Sequence, residues 1–217
     1  MPINIAIVGG GPKSFIPELN RFNKESMMWI GADQGAEVLL ENNIRPTISI
    51  GDFDSVSASS YQKIKERSFE TLTYSEEKDE TDLELAVQEA LLRSPEHILL
   101  FGVTGGRMDH TLANIQLLYP LLKQGKKASI IDVQNQMELA EAGTHKLEIN
   151  EEYPYVSFLP MTMEVTDLTL EGFYYPLEKA YVPFGSTLCI SNQLIEDPGT
   201  FSFSSGILLV VRSKDLN

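Results

Sequence analysis

Up to about Asp132 the chain alternates short, uninterrupted apolar runs with stretches of helical periodicity. The runs are Ile3–Val8, Met27–Gly31, Ile48–Gly51, Phe69–Tyr74, Ile98–Val103 and Ala128–Asp132. Strands that read as continuous apolar runs are buried on both faces, which marks a parallel sheet covered by helices. Between them Leu83, Ala86, Val87, Ala90 and Leu91 recur at helical spacing, and Leu112, Ile115 and Leu118 do the same further on. After Asn135 the helical period disappears. Short β-like runs follow at Lys146–Ile149, Tyr155–Leu159, Leu168–Leu170, Thr187–Ile190, Phe201–Phe203 and Ile207–Val211, separated by Pro, Gly, Asn and Asp. The pattern predicts an α/β domain with a mostly parallel, Rossmann-like layered sheet over residues 1–134. An all-β sandwich or barrel domain is predicted over 135–217.

Composition narrows the function classes. The 217 residues are 42% hydrophobic, enough for a sizeable core, and the net charge of −14 repels nucleic-acid phosphates and anionic membranes alike. No nucleic-acid or membrane partner is therefore expected. Most of the carboxylates are expected on solvated faces, but an acidic protein that takes a phosphate ligand needs a divalent cation to bridge the two. One cysteine, Cys189, rules out an internal disulfide and a cysteine-built zinc site; its apolar surroundings predict buried packing. The opening apolar run is too short for a signal peptide, and no run approaches the ~20 residues of a membrane span, so the expected location is the cytoplasm.

The candidate chemistry gathers where the predicted strands end, which is where a parallel sheet collects its ligands. Asp33 lies in Gly31-Ala-Asp-Gln-Gly35, and Asp52 and Asp54 lie in Gly51-Asp-Phe-Asp-Ser55. Two carboxylates placed two apart in an extended segment project to one face and favour a cation between them. Oxygen-only ligation suits magnesium that takes its other ligands from water and phosphate. Both acids are equally at home as ordinary turn residues. In Glu76-Glu-Lys-Asp-Glu-Thr-Asp-Leu-Glu84, Thr81 and Glu84 match a helix capping box, which accounts for much of the segment, Asp82 included; Lys78 is more suggestive, though a lysine amid acids is usually a solvated ion pair. In Gly102-Val-Thr-Gly-Gly-Arg-Met-Asp-His110, Gly105 and Gly106 would let backbone N–H groups approach a phosphate at a helix N-terminus, and Arg107 would add a planar cationic fork. Asp109 and His110 have simpler readings as a helix cap and a carbonyl donor. No Walker sequence is present.

Taken in this order, the segments resemble the thiamine pyrophosphokinase family. The matching stretches are Ala32-Asp-Gln-Gly-Ala36, Gly51-Asp-Phe-Asp-Ser55, Lys78-Asp-Glu-Thr-Asp-Leu83 and Gly105-Gly-Arg-Met-Asp-His-Thr-Leu-Ala-Asn114, with a weaker match at Ser191-Asn192 and Ser205-Gly206. The family transfers pyrophosphate from ATP to the hydroxyl of thiamine, giving thiamine diphosphate and AMP, and requires Mg²⁺. The resemblance implies an N-terminal catalytic domain that binds ATP and metal, and a C-terminal β-sandwich that binds thiamine. It also implies a homodimer whose thiamine sites lie between subunits. Carried over by position, Asp33, Asp52, Asp54, Asp82 and Asp109 form the acidic site, with Asp52, Asp54 and Asp82 as metal ligands. Lys78 and Arg107 neutralise phosphate, Gly105, Gly106 and His110 lie along the nucleotide loop, and Ser191, Asn192 and Ser205 lie near thiamine. The chain departs from the family pattern at Gln34, where a glycine is usual, at Glu37, where an asparagine is usual, and at Gly9-Gly10, where Asn-Gly is common. The rival readings are a magnesium-dependent enzyme acting on another nucleotide and a non-catalytic thiamine sensor.

Overall fold

The computed structural model describes residues 3–75, 77 and 79–216. The chain divides into two compact units, Met1–Val133 and Gln134–Asn217.

The first unit holds strands β1 (Asn4–Val8), β2 (Met27–Ala32), β3 (Ile48–Gly51), β4 (Glu70–Thr73), β5 (His97–Phe101) and β6 (Lys127–Ile131). All pair in parallel, in the order β4-β3-β2-β1-β5-β6. Helices α1 (Gln34–Glu41), α2 (Ala58–Arg67), α3 (Asp82–Leu91), α4 (Met108–Gln116) and α5 (Leu118–Lys123) fill the connections. Ala6, Val8, Trp29, Leu99 and Phe101 share one core with Leu19 and with Val38 and Leu39 of α1. The alternate residues Ile5, Ile7, Ile30, Ile98 and Leu100 face the other way by strand period and are equally buried. Right-handed crossovers explain why both faces are covered. The steps β2-α1-β3-α2-β4 run one way along the sheet and the return β4-α3-β5 runs the other, so α3 lands on the face opposite α1 and α2. The chain changes direction between β1 and β5, making their carboxyl ends the switch-point crevice where open α/β sheets bind ligands.

Two expectations are corrected here. The run Phe69–Tyr74 is not a doubly buried strand: β4 is a partly exposed edge, and Phe69 is 68% exposed beneath the Arg45 guanidinium, 3.6 Å from its ring centroid. Leu112 and Ile115 do not form a buried helical face, because α4 has no buried residue; only Leu118, beyond the helix junction, is buried.

The second unit is antiparallel and built on β12 (Gly199–Ser213), which pairs along its length with β7 (Asn135–Leu147). On its other side the first half of β12 pairs with β9 (Glu164–Glu171) and the second half with β8 (Tyr155–Pro160). Strand β10 (Leu177–Pro183) adds to β9, and the short β11 (Asn192–Gln193) adds to β8. A bulge between Phe203 and Ile207 divides the two halves of β12. Val156 and Phe158 of β8, Leu168 and Leu170 of β9, and Phe201, Phe203, Leu208 and Val210 of β12 close on one core. Thr187–Ile190, expected as a strand, forms a turn, although Cys189 within it is buried in this core. Burial there pushes the Cys189 thiol up to about 11, away from reactivity. Among the described residues no helix is long and apolar enough to cross a membrane.

Candidate active site

Asp33 follows β2 and opens α1 without capping it; its backbone takes φ 50° and ψ −122°, and its N–H donates to the Ile50 carbonyl at 2.8 Å. That φ is uncommon outside glycine and draws the residue over the end of β3. Two residues on, Gly35 packs so closely on the end of β1 that a Cβ there would lie 1.8 Å from the Val8 carbonyl oxygen. The helix start, and the acid with it, is thereby set against the switch point.

Asp52 and Asp54 occupy the turn after β3. Phe53 between them has φ 58°, so the segment is not the extended one that the spacing suggested. The Asp54 N–H donates to Asp52 Oδ1 at 3.1 Å, which satisfies the turn reading. The same turn also gathers charge: one carboxylate oxygen from each of Asp33, Asp52 and Asp54 lies within 4.8 Å of the others. Phe53 fixes this geometry from below. Its side chain is 5% exposed and packs with Ala36 and Ile64, and its ring centroid lies 5.1 Å from that of Tyr61.

Ser55 donates its hydroxyl to Asp33 Oδ2, while Asp33 Oδ1 is buried without a hydrogen-bond partner. Burial raises the Asp33 pKa above its ordinary value; the bonds from Ser55 and from the Gln34 N–H oppose the rise, and the charges of Asp82 and Asp52 add to it. Asp82 is the first residue of α3, whose N-terminus is capped by Thr81 accepting the Glu84 N–H at 3.2 Å. The donor set fits a hard divalent cation: three carboxylates converge, and one buried oxygen has no other partner. Lys78 lies outside the described residues.

The loop after β5 occupies the other side of the switch point. It is anchored from behind by Thr104 donating to Asp132 at 2.7 Å and by the Asn114 amide donating to the Val103 carbonyl at 2.8 Å. Gly105 has φ +81°, and a Cβ there would fall 2.3 Å from the Phe15 ring, so the loop accepts no side chain at this point; Gly106 follows it. Arg107 and Asp109 form an exposed fork, with Nε to Oδ1 at 3.1 Å and Nη2 to Oδ2 at 2.5 Å. The Arg107 hydrogen bonds hold the Asp109 carboxyl down to about 2, which makes Asp109 a poor proton acceptor. His110 is exposed, and its backbone N–H donates to Asp109 Oδ1. Two to three strand spacings, about 10–14 Å, separate this loop from the acids after β2 and β3 along one edge of the sheet.

In the second unit the residues carried over by position are not brought together within one chain. The Ser191 N–H bonds the Ser157 hydroxyl, in the half of β12 that pairs with β8, whereas Ser205 sits in the bulge against Thr166 of β9. The two places are roughly 20 Å apart along β12. Asn192 is 3% exposed and spends its side chain on the backbone: Oδ1 accepts from the Tyr175 and Gln193 N–H groups, and Nδ2 donates to the Tyr175 carbonyl. It pins Tyr175, whose own ring is 62% exposed and meets Tyr174 edge-on. Sequence reasoning named Asn192 but missed Ser55, Phe53 and the bonding of Asn192 to the Tyr175 backbone. The residue types carried no signal for the last, and only adjacency to the acids could have pointed to the first two.

A six-stranded parallel sheet with carboxylates converging at its carboxyl edge, opposite a glycine-arginine loop, defines the class of enzymes that handle phosphoryl groups. The family model for the thiamin pyrophosphokinase catalytic domain matches residues 19–130, and that for the family's vitamin B1 binding domain matches residues 144–208. The chain belongs to the thiamine pyrophosphokinase family. It is 46% identical to a Bacillus subtilis thiamine pyrophosphokinase over 97% of this chain and 99% of that protein. The crystal structure of the thiamine pyrophosphokinase from B. subtilis superposes with a TM-score of 0.94, at 46% identity, covering 98% of this chain and 100% of that one. That of Geobacillus thermodenitrificans gives 0.90 at 42% identity, covering 98% of each chain.

Proposed function

We propose that this enzyme transfers the pyrophosphoryl group of ATP to the hydroxyl of thiamine, giving thiamine diphosphate and AMP, with Mg²⁺ held at Asp33, Asp52 and Asp54 and aided by Asp82. The observation that carries the metal assignment is the convergence of the Asp33, Asp52 and Asp54 carboxylates within 4.8 Å of one another. Bound there, the ion would supply charge neutralisation for the phosphate oxygens as AMP leaves. The rest of the catalysis is positioning. In this reading the loop from Gly105 to His110 presents backbone N–H groups and the Arg107 fork to the nucleotide phosphates. The exposed Arg107–Asp109 pair exchanges readily, because water competes for both partners. Asp109, held ionised by Arg107, serves to orient the arginine rather than to take a proton.

The second unit, read as a β-sandwich, would hold thiamine. Tyr175 is an exposed ring on a backbone locked by Asn192, suited to stacking on a cationic heterocycle. Tyr175→Ala is expected to raise the KM for thiamine about tenfold with a smaller change in kcat; an unchanged KM in steady-state assays rules the ring out. Asn192, with Ser191 beside it, then acts chiefly by shaping the backbone around the ring.

We further read the enzyme as a homodimer with thiamine held between subunits. In support, apolar side chains are exposed on both units: Met108 and Leu112 on α4, and Tyr174, Ile190 and Ile195 in the second unit. Sedimentation velocity at micromolar concentration tests this, and a single species near 24 kDa would refute it. ATP as co-substrate goes with a cytoplasmic location.

The deciding experiment follows AMP and thiamine diphosphate from ATP and Mg²⁺, with and without thiamine. Equal amounts of both products, only when thiamine is present, support the transfer. AMP without thiamine would mean a hydrolase, and neither product with thiamine still bound would mean a sensor.

A further inference from the structure

We propose that Ser55 is a positioning residue that holds the Asp33 carboxylate with Oδ1 turned into the acid cluster, so that Asp33 offers one fixed oxygen to a divalent cation. The inference rests on the reading of the cluster as a cation site and goes beyond it to the group that orients the ligand. The Asp33 backbone is set by its positive φ, by its N–H bond to Ile50 and by the close approach of Gly51, on which a Cβ would stand 3.3 Å from Asp33 Cα. None of these decides how the carboxylate itself turns. The terminal torsion of aspartate is broad and two-fold, and the neighbouring Asp52 charge pushes both oxygens away. A directed side-chain donor on Oδ2, added to the bond from the neighbouring Gln34 N–H that comes with the backbone, settles the rotation. The Ser55 hydroxyl is that donor, and with it Oδ1 is the buried, unbonded oxygen.

The donor also comes from a telling place. Ser55 immediately follows Asp54 in the turn after β3, so the peptide that carries two acids of the cluster orients the third, which lies after β2 at the start of α1. Removing groups that orient a metal ligand costs 10- to 100-fold in affinity, and the exposure of Ser55 places its effect near the lower end, about tenfold.

The test titrates the full chain with Mn²⁺ alone, without nucleotide or thiamine, reading free Mn²⁺ by electron paramagnetic resonance. Wild type is expected to bind. Ser55→Ala is expected to weaken binding about tenfold with its melting temperature in EDTA within about 2 °C of wild type, and Ser55→Thr, which keeps the hydroxyl, to restore it. In an Asp33→Asn background, Ser55→Ala is expected to cost nothing further, since the two act as one unit. The proposal is overturned by wild-type affinity in Ser55→Ala, by a threonine variant as weak as the alanine one, or by an undiminished loss in the Asp33→Asn background. A fall in melting temperature of more than about 5 °C also overturns it, assigning Ser55 to folding instead. No Mn²⁺ binding by wild type would overturn the cation reading itself, an outcome distinct from all of these.

Discussion

Asp54→Asn will lower turnover about a thousandfold while leaving the protein folded and, in EDTA, slightly more stable. The loss of rate follows from the role proposed for the cluster. A factor of a thousand is about 4 kcal/mol of barrier, within the several kcal/mol that a bridging cation contributes to a phosphoryl transition state. The gain in stability follows from geometry. Three carboxylates with oxygens within 4.8 Å repel one another, and Asp54 is the exposed member. At that distance a pair in nearly aqueous surroundings costs about 1 kcal/mol. Removing one charge therefore raises the melting temperature by about 2–4 °C when no cation is present. Adding Mg²⁺ reverses the order, because only the wild type gains the binding energy. Calorimetry of both proteins, with and without Mg²⁺, checks the sign twice. A variant that keeps normal turnover, or that melts below wild type in EDTA, would remove Asp54 from the cation site.

Gly35→Ala, in the first turn of α1, is expected to do the opposite kind of damage, destabilising the fold by about 3–5 kcal/mol or preventing it. The added methyl would meet the Val8 carbonyl carbon at 2.5 Å as well as its oxygen. Both belong to the backbone of a central strand, so neither can swing aside; α1 must lift, and the core around Val38 and Leu39 opens with it. The matched control is Gly125→Ala. Its φ of +67° carries left-handed strain of roughly 1–2 kcal/mol, but nothing lies within 4 Å of the new Cβ. Urea denaturation of the two variants separates crowding from strain. Equal losses at the two positions would mean that the contact at Gly35 is relieved by a small shift of the helix.

What the sequence made legible follows from how completely each segment's surroundings are written into it. Strands β1 and β5 are buried on both faces, so Ile5-Ala-Ile-Val8 and Ile98-Leu-Leu-Phe101 had to be apolar throughout and could be read directly. Residues 136–142 spell Gln-Met-Glu-Leu-Ala-Glu-Ala, a helix-prone stretch, yet they form β7 because β12 supplies a partner from far along the chain. Strand β10 escaped notice as an edge strand with exposed Glu178 and Lys179 and shifts in its register, features that blur alternation. Leu188-Cys-Ile190 looked like a strand only because a turn dips one buried cysteine into the core. The acids were legible for a different reason: their spacing relative to strand ends is a local property. Their mutual arrangement was not, since it depends on Phe53 and Asp33 adopting positive φ, which neither residue type advertises.

The place of β12 in the second unit sets the order in which the molecule can be made. The first unit has all six strands once Ile131 is joined, each drawing its partners from residues already synthesised. In the second unit β7, β8 and β9 all take β12 as a neighbour, and β12 is the last of them to be added. During synthesis these strands wait with unpaired edges while the acid-bearing sheet is free to close first. A nascent chain interrupted before Gly199 would thus carry a finished first unit and an unfolded second one, open to proteolysis along every strand that lacks its centre.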